Sequence, residues 1–336
     1  MTTQVNLGPI RLPDNSEPIS DGDEEIFLIY TDLQGVHASP EDGNRYRGLG
    51  YIDSTKDVLE IALELLPEDP PKEPTSTEWP SGMNVECEAP KSKQRRRRTR
   101  PTATSAQNKG PEKVEIELLQ DITSLRSRKG DTGSVVWKAS IDFARYVLQR
   151  HRFPSEQSLF NYERLKECHV LELGSGTGIL SILLSPLVAK YTVTDIEALV
   201  PLIQKNINKN FPSDTSRPNI SAEPLDWIAL HSSTPAQRAK LFSNDPPVDL
   251  ILVVDCIYHP SLIPPLLSTI DHVTIPDRTT VLVLSELRSE EVLREFLLSW
   301  LDIPGWKIWH VGGDLLQNKR YVMWIGWKPS TKGRES

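Results

Sequence analysis

Cysteine is scarce in this chain: 336 residues carry three, Cys87, Cys168 and Cys256. That number excludes a disulfide scaffold, and the wide spacing excludes the paired ligands of a structural zinc site. Reduced thiols point to the cytoplasm, with the nucleus as a second expected location. Long apolar runs are also missing. None reaches the 18 residues of a membrane-spanning helix, and the polar opening Met1–Thr–Thr–Gln lacks the apolar segment of a secretory leader. An excess of positive charge is absent too. The formal net charge is −8, so the molecule as a whole is not built to bind nucleic acid, and no specific contact with it is expected. Hydrophobic residues make up 38 % of the chain, enough for a real core, and the length allows one large α/β domain with an extension or two small domains.

What the chain does have is Val170–Leu–Glu–Leu–Gly–Ser–Gly–Thr–Gly178, a short apolar strand with an embedded acid, Glu172, that runs into a glycine-spaced turn and an apolar helix. A second strand, Tyr191–Val–Thr–Val–Thr194, ends in Asp195. A glycine turn after one strand and a carboxylate at the tip of the next is how a βαβ unit holds the ribose of an adenosine cofactor. Asp195 is also placed to cap the helix that begins near Glu197, and one carboxylate can do both. The run Gly174-x-Gly176-x-Gly178 departs from the G-x-G-x-x-G of pyrophosphate binders, and Glu172 would repel a phosphate. S-adenosylmethionine carries a sulfonium and an amino group and no phosphate, so the pattern favours a methyl donor over NAD.

Around this motif the expected organisation is an N-terminal extension (1–66), a Pro-rich and basic disordered insertion (67–113), an α/β domain (114–329) and a flexible tail (330–336). In the extension, Glu25–Ile–Phe–Leu–Ile–Tyr30 reads as a strand and Lys56–Leu66 as a short amphipathic helix. The insertion contains Lys91–Ser–Lys–Gln–Arg–Arg–Arg–Arg–Thr–Arg100, readable as a nuclear import signal, a handle for RNA-rich particles or a solubilising cluster; without aromatics it offers no base-stacking platform. Val114–Leu118 alternates as a strand should, and a helix is expected over Ser140–Leu148. From Cys168 onward strands near 168–173, 190–194, 219–225, 249–254, 279–285, 306–311 and 321–328 alternate with helices near 177–185, 198–209, 261–271 and 289–300. This predicts a doubly wound, Rossmann-like sheet of seven strands, mostly parallel. The last two strands are joined by a loop too short for a crossover helix, so they should form an antiparallel hairpin at the sheet edge. Pro201 is expected in a first turn.

On Thr132–Gly–Ser–Val–Val–Trp–Lys–Ala139, Val170–Gly178, Thr194–Asp195, Leu225–Asp–Trp227 and Val254–Asp–Cys–Ile–Tyr258, residues 114–328 resemble a class I, seven-β-strand S-adenosylmethionine-dependent methyltransferase. More closely, they are similar to the fungal ribosomal lysine N-methyltransferase 5 group within the family-16 protein-lysine methyltransferases. The resemblance implies S-adenosyl-L-methionine as cofactor, with Trp137 lying against it, Gly174, Ser175 and Gly176 holding its methionine part near Glu172, and Asp195 accepting from both ribose hydroxyls. It places Asp226 and Trp227 about the adenine and the Val254 backbone beneath the ligand. Trp137 and Trp227 have an ordinary reading as core aromatics, and Asp226 as a turn cap.

Asp255 and Tyr258 are the expected pair for methyl transfer, which needs a neutral nitrogen aligned with the methyl carbon. A lysine, charged at neutral pH, would be gripped as ammonium and turned to present its lone pair. The resemblance implies a protein partner, ribosomal or translation-associated, with large-subunit protein L1 first; relatives act on elongation factor 1A, chaperones and other proteins. A monomer is expected, with no metal. The alternatives are a small-molecule or nucleic-acid acceptor, the absent Asn-Pro-Pro-Tyr-type motif counting against a base amine, and an inactive fold that only binds a partner. Intact Glu172, Gly174, Asp195 and Asp255 count against the last.

Overall fold

The computed structural model describes residues 7–36, 50–67, 110–123, 132–212, 219–313, 315–316 and 320–330. The basic run 91–100, most of the Pro-rich stretch and the tail 331–336 lie outside them. Ten strands occur among the described residues: β1 (Glu17–Pro18), β2 (Val58–Leu65), β3 (Glu112–Leu119), β4 (His169–Leu173), β5 (Lys190–Asp195), β6 (Ile220–Pro224), β7 (Leu250–Val254), β8 (Thr280–Glu286), β9 (Lys307–His310) and β10 (Tyr321–Trp327). Eight of them form one sheet in the order β1-β9-β10-β8-β7-β4-β5-β6. The pairs β6-β5, β5-β4, β4-β7 and β7-β8 are parallel, and β10 runs antiparallel to both β8 and β9. All seven strands expected from residue 168 onward are present, as is the terminal hairpin. Within it β10 lies inside the sheet, and two residues of β1 pair with β9 beyond it.

The parallel centre explains its own sequence. Every residue of β4 and β7 is buried, because helices cover both faces of these strands and leave no solvent side to alternate with. One face is packed by α2 (Lys138–Arg152), α4 (Ile179–Leu184) and α5 (Val200–Asn210), through Phe143, Leu180 and Ile203. On the other lie α1 (Gly22–Val36), α6 (Trp227–Ser232), α8 (Ile263–Val273) and α9 (Glu290–Leu301), through Ile26, Leu230, Ile270 and Phe296. Two short helices, α3 (Tyr162–Leu165) and α7 (Pro235–Leu241), also occur among the described residues. Pro201 sits in the first turn of α5, where its missing N–H costs nothing.

The N-terminal extension reverses two expectations. Residues 25–30 are helical, within α1. The Asp21 carboxylate accepts from the Asp23 and Glu24 N–H groups and caps its start, and Asp23, Glu24 and Glu25 fill its first turn. Ile26 is fully buried with Ile29 and Tyr30 packed beside it, a three-four spacing, while Phe27 and Leu28 face outward. Residues 58–65, expected as part of a helix, are strand β2, in which Leu59, Ile61, Leu63 and Leu65 are buried in strict alternation. It pairs antiparallel with β3 over its whole length, so chain from both sides of the long insertion meets in one two-stranded ribbon.

That ribbon is tied to the main domain through amides. Asn206 of α5 accepts from the Leu119 N–H (2.7 Å) and donates to the Leu119 carbonyl (3.0 Å), and Asn210, one turn on, does the same for Glu117. Two side chains at i and i+4 thereby satisfy backbone groups of β3 that face away from β2.

Candidate active site

The carboxyl ends of five parallel-sheet strands open onto one cavity of about 490 Å³. This is where an open α/β sheet binds its ligands. Strand β4 contributes Gly174, Ser175 and Gly176; β5 ends in Asp195; β6 leads to Asp226 and Trp227; β7 leads to Val254, Asp255 and Tyr258; β8 leads to Arg288. Trp137, which precedes α2, lines it from another side. Ten of the eleven expected site residues thus share one cavity wall.

The glycine turn is shaped by close approach. Gly174, Gly176 and Gly178 all have positive φ. A Cβ on Gly176 would stand 2.7 Å from the Gly133 carbonyl oxygen, so only glycine lets these two backbone segments meet. The Gly176 N–H donates to Asp195 Oδ2 at 2.8 Å, and the Ile196 N–H donates to Oδ1 at 2.8 Å. These bonds hold the carboxylate, an acceptor group, where it lines the cavity. The glycine turn and the acid at the tip of β5 are one hydrogen-bonded unit.

Asp226 is the N-cap of α6, accepting from the Ile228 (2.8 Å) and Ala229 (3.1 Å) N–H groups. The capping reading therefore holds, while the residue also lines the cavity. The buried Trp227 Nε1 and Ser175 Oγ, both on cavity-lining residues, have no hydrogen-bond partner. His259 caps the short turn that follows, its Nδ1 accepting from the Ser261 N–H, and is structural. Trp324 is core: its indole N–H donates to Glu25 at 2.9 Å. Trp327 is likewise buried.

Glu172 is the expected site residue that does not line the cavity. It is buried within β4, where Tyr191 Oη donates to its carboxyl at 2.9 Å. Burial, with a smaller push from Asp195, raises its pKa to about 8 although the tyrosine bond opposes this. At neutral pH it is mostly uncharged, so the repulsion of a phosphate expected of it is weak.

Asp255 is at the cavity but not as a free carboxylate. It follows β7 in the left-handed region (φ 61°), an uncommon conformation that Asp tolerates. Oδ1 accepts from Arg288 Nη1 (3.0 Å) and the Glu286 N–H (3.2 Å), and Oδ2 accepts from Arg288 Nη2. Burial pushes the Asp255 carboxyl up against the downward pull of Arg288. Burial works the other way on Arg288, where Asp255 and Glu286 outweigh it and raise the guanidinium. The ammonium grip expected of Asp255 is thus already met by a cation of the chain itself. Tyr258, 40 % exposed, stands at the cavity and on the surface at once.

Arg288 itself escaped the sequence reading. Its guanidinium also bonds Glu286 (2.7 Å) and lies 4.7 Å from the centre of the Trp137 ring. The available signal was a charged Glu286–Leu–Arg288 triplet ending an apolar central strand, at the edge where ligands bind. Segment 50–57 was missed as well. Tyr51 bridges to Trp137 and packs edge-on against its ring, and buried Gln120 joins the Asp53 and Lys56 carbonyls to the Val136 N–H.

A doubly wound sheet with an antiparallel end, a glycine turn bonded to the acid of the next strand and a ligand cavity at the strand tips define a class I S-adenosylmethionine-dependent methyltransferase domain. The family model for lysine methyltransferases matches residues 119–299, and the chain belongs to that family of protein-lysine methyltransferases. It is 25 % identical to ribosomal lysine N-methyltransferase 5 of Saccharomyces cerevisiae over 90 % of this chain and 96 % of that protein. With protein N-lysine methyltransferase METTL21A of Xenopus tropicalis it shares 28 % identity over 52 % of this chain and 67 % of that one. A Schizosaccharomyces pombe protein named diaminohydroxyphosphoribosylamino-pyrimidine deaminase is 34 % identical over 54 % of this chain, a stretch that spans 41 % of its own length.

The cavity fits this cofactor on its own chemistry. The buried Ser175 Oγ and Trp227 Nε1 have no partner although their residues line it, and the Asp195 carboxylate is an acceptor of the kind a diol needs. Among the described residues no cluster of His, Cys, Asp and Glu could hold a metal ion, and no helix is long and apolar enough to cross a membrane.

Proposed function

We propose that this chain methylates a lysine side chain of a ribosomal protein, with large-subunit protein L1 as first candidate. One observation carries the ribosomal reading. Similarity to the Saccharomyces enzyme extends over 90 % of the chain, whereas the METTL21A alignment covers 52 %. The longer match takes in sequence outside the shared domain, where segment 50–57 stands beside the cavity wall at Trp137.

In this reading S-adenosylmethionine, when bound, supplies a methyl group activated by its sulfonium. Asp195 accepts from the ribose hydroxyls as an ionised, acceptor-only group. Asp226 and Trp227 flank the adenine, Gly174, Ser175 and Gly176 take the methionine part, and Val254 contributes backbone beneath. Trp137 closes the opposite wall. The acceptor lysine, with a free pKa near 10.4, must lose one proton before it can attack. Tyr258, at the rim, accepts a hydrogen bond from the arriving ammonium and orients it while a proton leaves to solvent. Asp255 shapes the strand tip beside it. The chain works as a monomer in the cytoplasm, and the basic run 91–100 serves nuclear import or contact with ribosomal particles.

Incubation of the chain and its Asp195→Ala variant with radiolabelled S-adenosylmethionine and ribosomal particles from a strain lacking the gene tests this. Label in one ribosomal band, mapped by peptide mass spectrometry to a lysine and lost with Asp195→Ala, is expected. Label only in soluble proteins such as elongation factor 1A would overturn the ribosomal acceptor and keep the chemistry.

A further inference from the structure

The Asp255–Arg288 pair has a geometry that an acceptor-binding role for Asp255 does not explain. The carboxylate is 2 % exposed, and both its oxygens are engaged by one guanidinium in the bidentate arrangement that gives such pairs their directionality. A third acceptor, Glu286, holds the same Arg288 Nη2. So gripped, the guanidinium is set over the Trp137 indole at 4.7 Å from its centre, close enough for a cation–π contact. The N-terminal segment presses on this assembly. A Cβ at Gly50, whose φ is +91°, would stand 2.5 Å from the guanidinium and 2.7 Å from the Glu286 carboxylate. The Gly50 carbonyl accepts from the Lys138 N–H, directly after Trp137.

We propose that Arg288 is a positioning residue for the cofactor wall: Asp255 and Glu286 clamp its guanidinium, and the guanidinium holds the Trp137 ring against the cavity. Asp255 thus acts through Arg288 on the methyl-donor side of the site and does not grip the acceptor amine. This deepens the methyltransferase reading and rests on it. It also explains why a carboxylate at a strand tip is so fully paired. A group meant to exchange ammonium ions would have to release a bidentate, largely desolvated arginine at every turnover, at a cost far above that of a surface pair. Lysine cannot substitute fully for Arg288, because an ammonium lacks the planar fork that meets two carboxylates and stacks on an indole together.

The test is calorimetric titration of the full chain with S-adenosylhomocysteine, which needs no acceptor. Arg288→Ala is expected to weaken binding about tenfold, in line with a desolvated cation–π contact. Asp255→Asn, isosteric but uncharged, should fall in the same range, and Arg288→Lys between that and wild type. Adding Asp255→Asn or Trp137→Ala to Arg288→Ala should cost less than the product of the separate losses, because the residues act as one unit. Wild-type affinity in Arg288→Ala, or losses that multiply, would overturn the proposal. So would Asp255→Asn binding S-adenosylhomocysteine normally, the pattern of a direct acceptor role. A general packing defect is excluded if affinity falls while the melting temperature of the ligand-free variant holds and lysine restores part of the binding. If the wild-type chain does not bind at all, the methyltransferase reading itself fails; binding by wild type and Arg288→Ala alike sinks only the inference about Arg288.

Discussion

The Tyr191 hydroxyl and the Glu172 carboxyl form a buried pair across adjacent strands of the sheet centre, 2.9 Å apart. Its acid titrates well above the ordinary carboxylate range because burial penalises the charged form. Between the ordinary glutamate value of 4.5 and about pH 8 the native state holds a proton that the unfolded chain has released. Stability contributed by this group is therefore complete below about pH 4.5 and declines through that window to a plateau above pH 8. The shift corresponds to roughly 3–5 kcal/mol. Glu172→Gln removes the titration, so its melting temperature should fall less than that of wild type between pH 5 and 8.5. Parallel melting curves across that range would show that Glu172 is not the titrating group.

Gly176 should tolerate no side chain. Alanine there meets the Gly133 carbonyl oxygen at 2.7 Å in a left-handed conformation and disturbs the N–H that aims Asp195. Gly176→Ala is expected to lower S-adenosylhomocysteine affinity at least tenfold while losing about 1–3 kcal/mol of stability. Isothermal calorimetry beside urea denaturation separates the two effects, and unchanged affinity would contradict the assigned geometry.

Asn206 is the joint between α5 and the β2–β3 ribbon. Asn206→Leu leaves the Leu119 N–H and carbonyl and the Thr177 carbonyl without this partner. Buried groups orphaned this way cost about 2–4 kcal/mol together. Urea denaturation should show the midpoint falling by that equivalent with the slope unchanged; a loss below about 0.5 kcal/mol would mean that water replaces the amide.

Tyr258 should separate acceptor from cofactor. Tyr258→Phe removes the hydroxyl at the rim and is expected to lower the methylation rate about 10- to 100-fold. Its S-adenosylhomocysteine affinity should remain within twofold of wild type. A parallel loss in binding would place the hydroxyl on the cofactor side.

The helix–strand alternation from Cys168 onward could be read from residues because fully buried parallel strands are written as unbroken apolar runs and the glycine turn marks the first crossover. The N-terminal extension could not. The apolar run at residues 26–30 suits a strand by composition, and what makes it a helix is the Asp21 cap and a surface that takes Ile26, Ile29 and Tyr30 together. Residues 56–66 failed the other way. Leu59 and Leu63 also fit a four-residue spacing, and only pairing with β3, from beyond the long insertion, selects the alternating reading.

At the site the same division holds. Sequence by itself determined the residue types at the strand tips: the glycines that permit close backbone approach, the acid after β5, and the Asp-Trp and Asp-x-x-Tyr groups that follow β6 and β7. Those depend on local conformation and on which end of a strand a residue occupies. Tertiary structure decided what each acid is doing. Glu172 is removed from the cavity and largely neutralised by burial, and Asp255 is claimed by Arg288, a residue 33 positions further on. Charge state and partner choice depend on desolvation and on neighbours supplied by other strands, and no spacing along the chain encodes either.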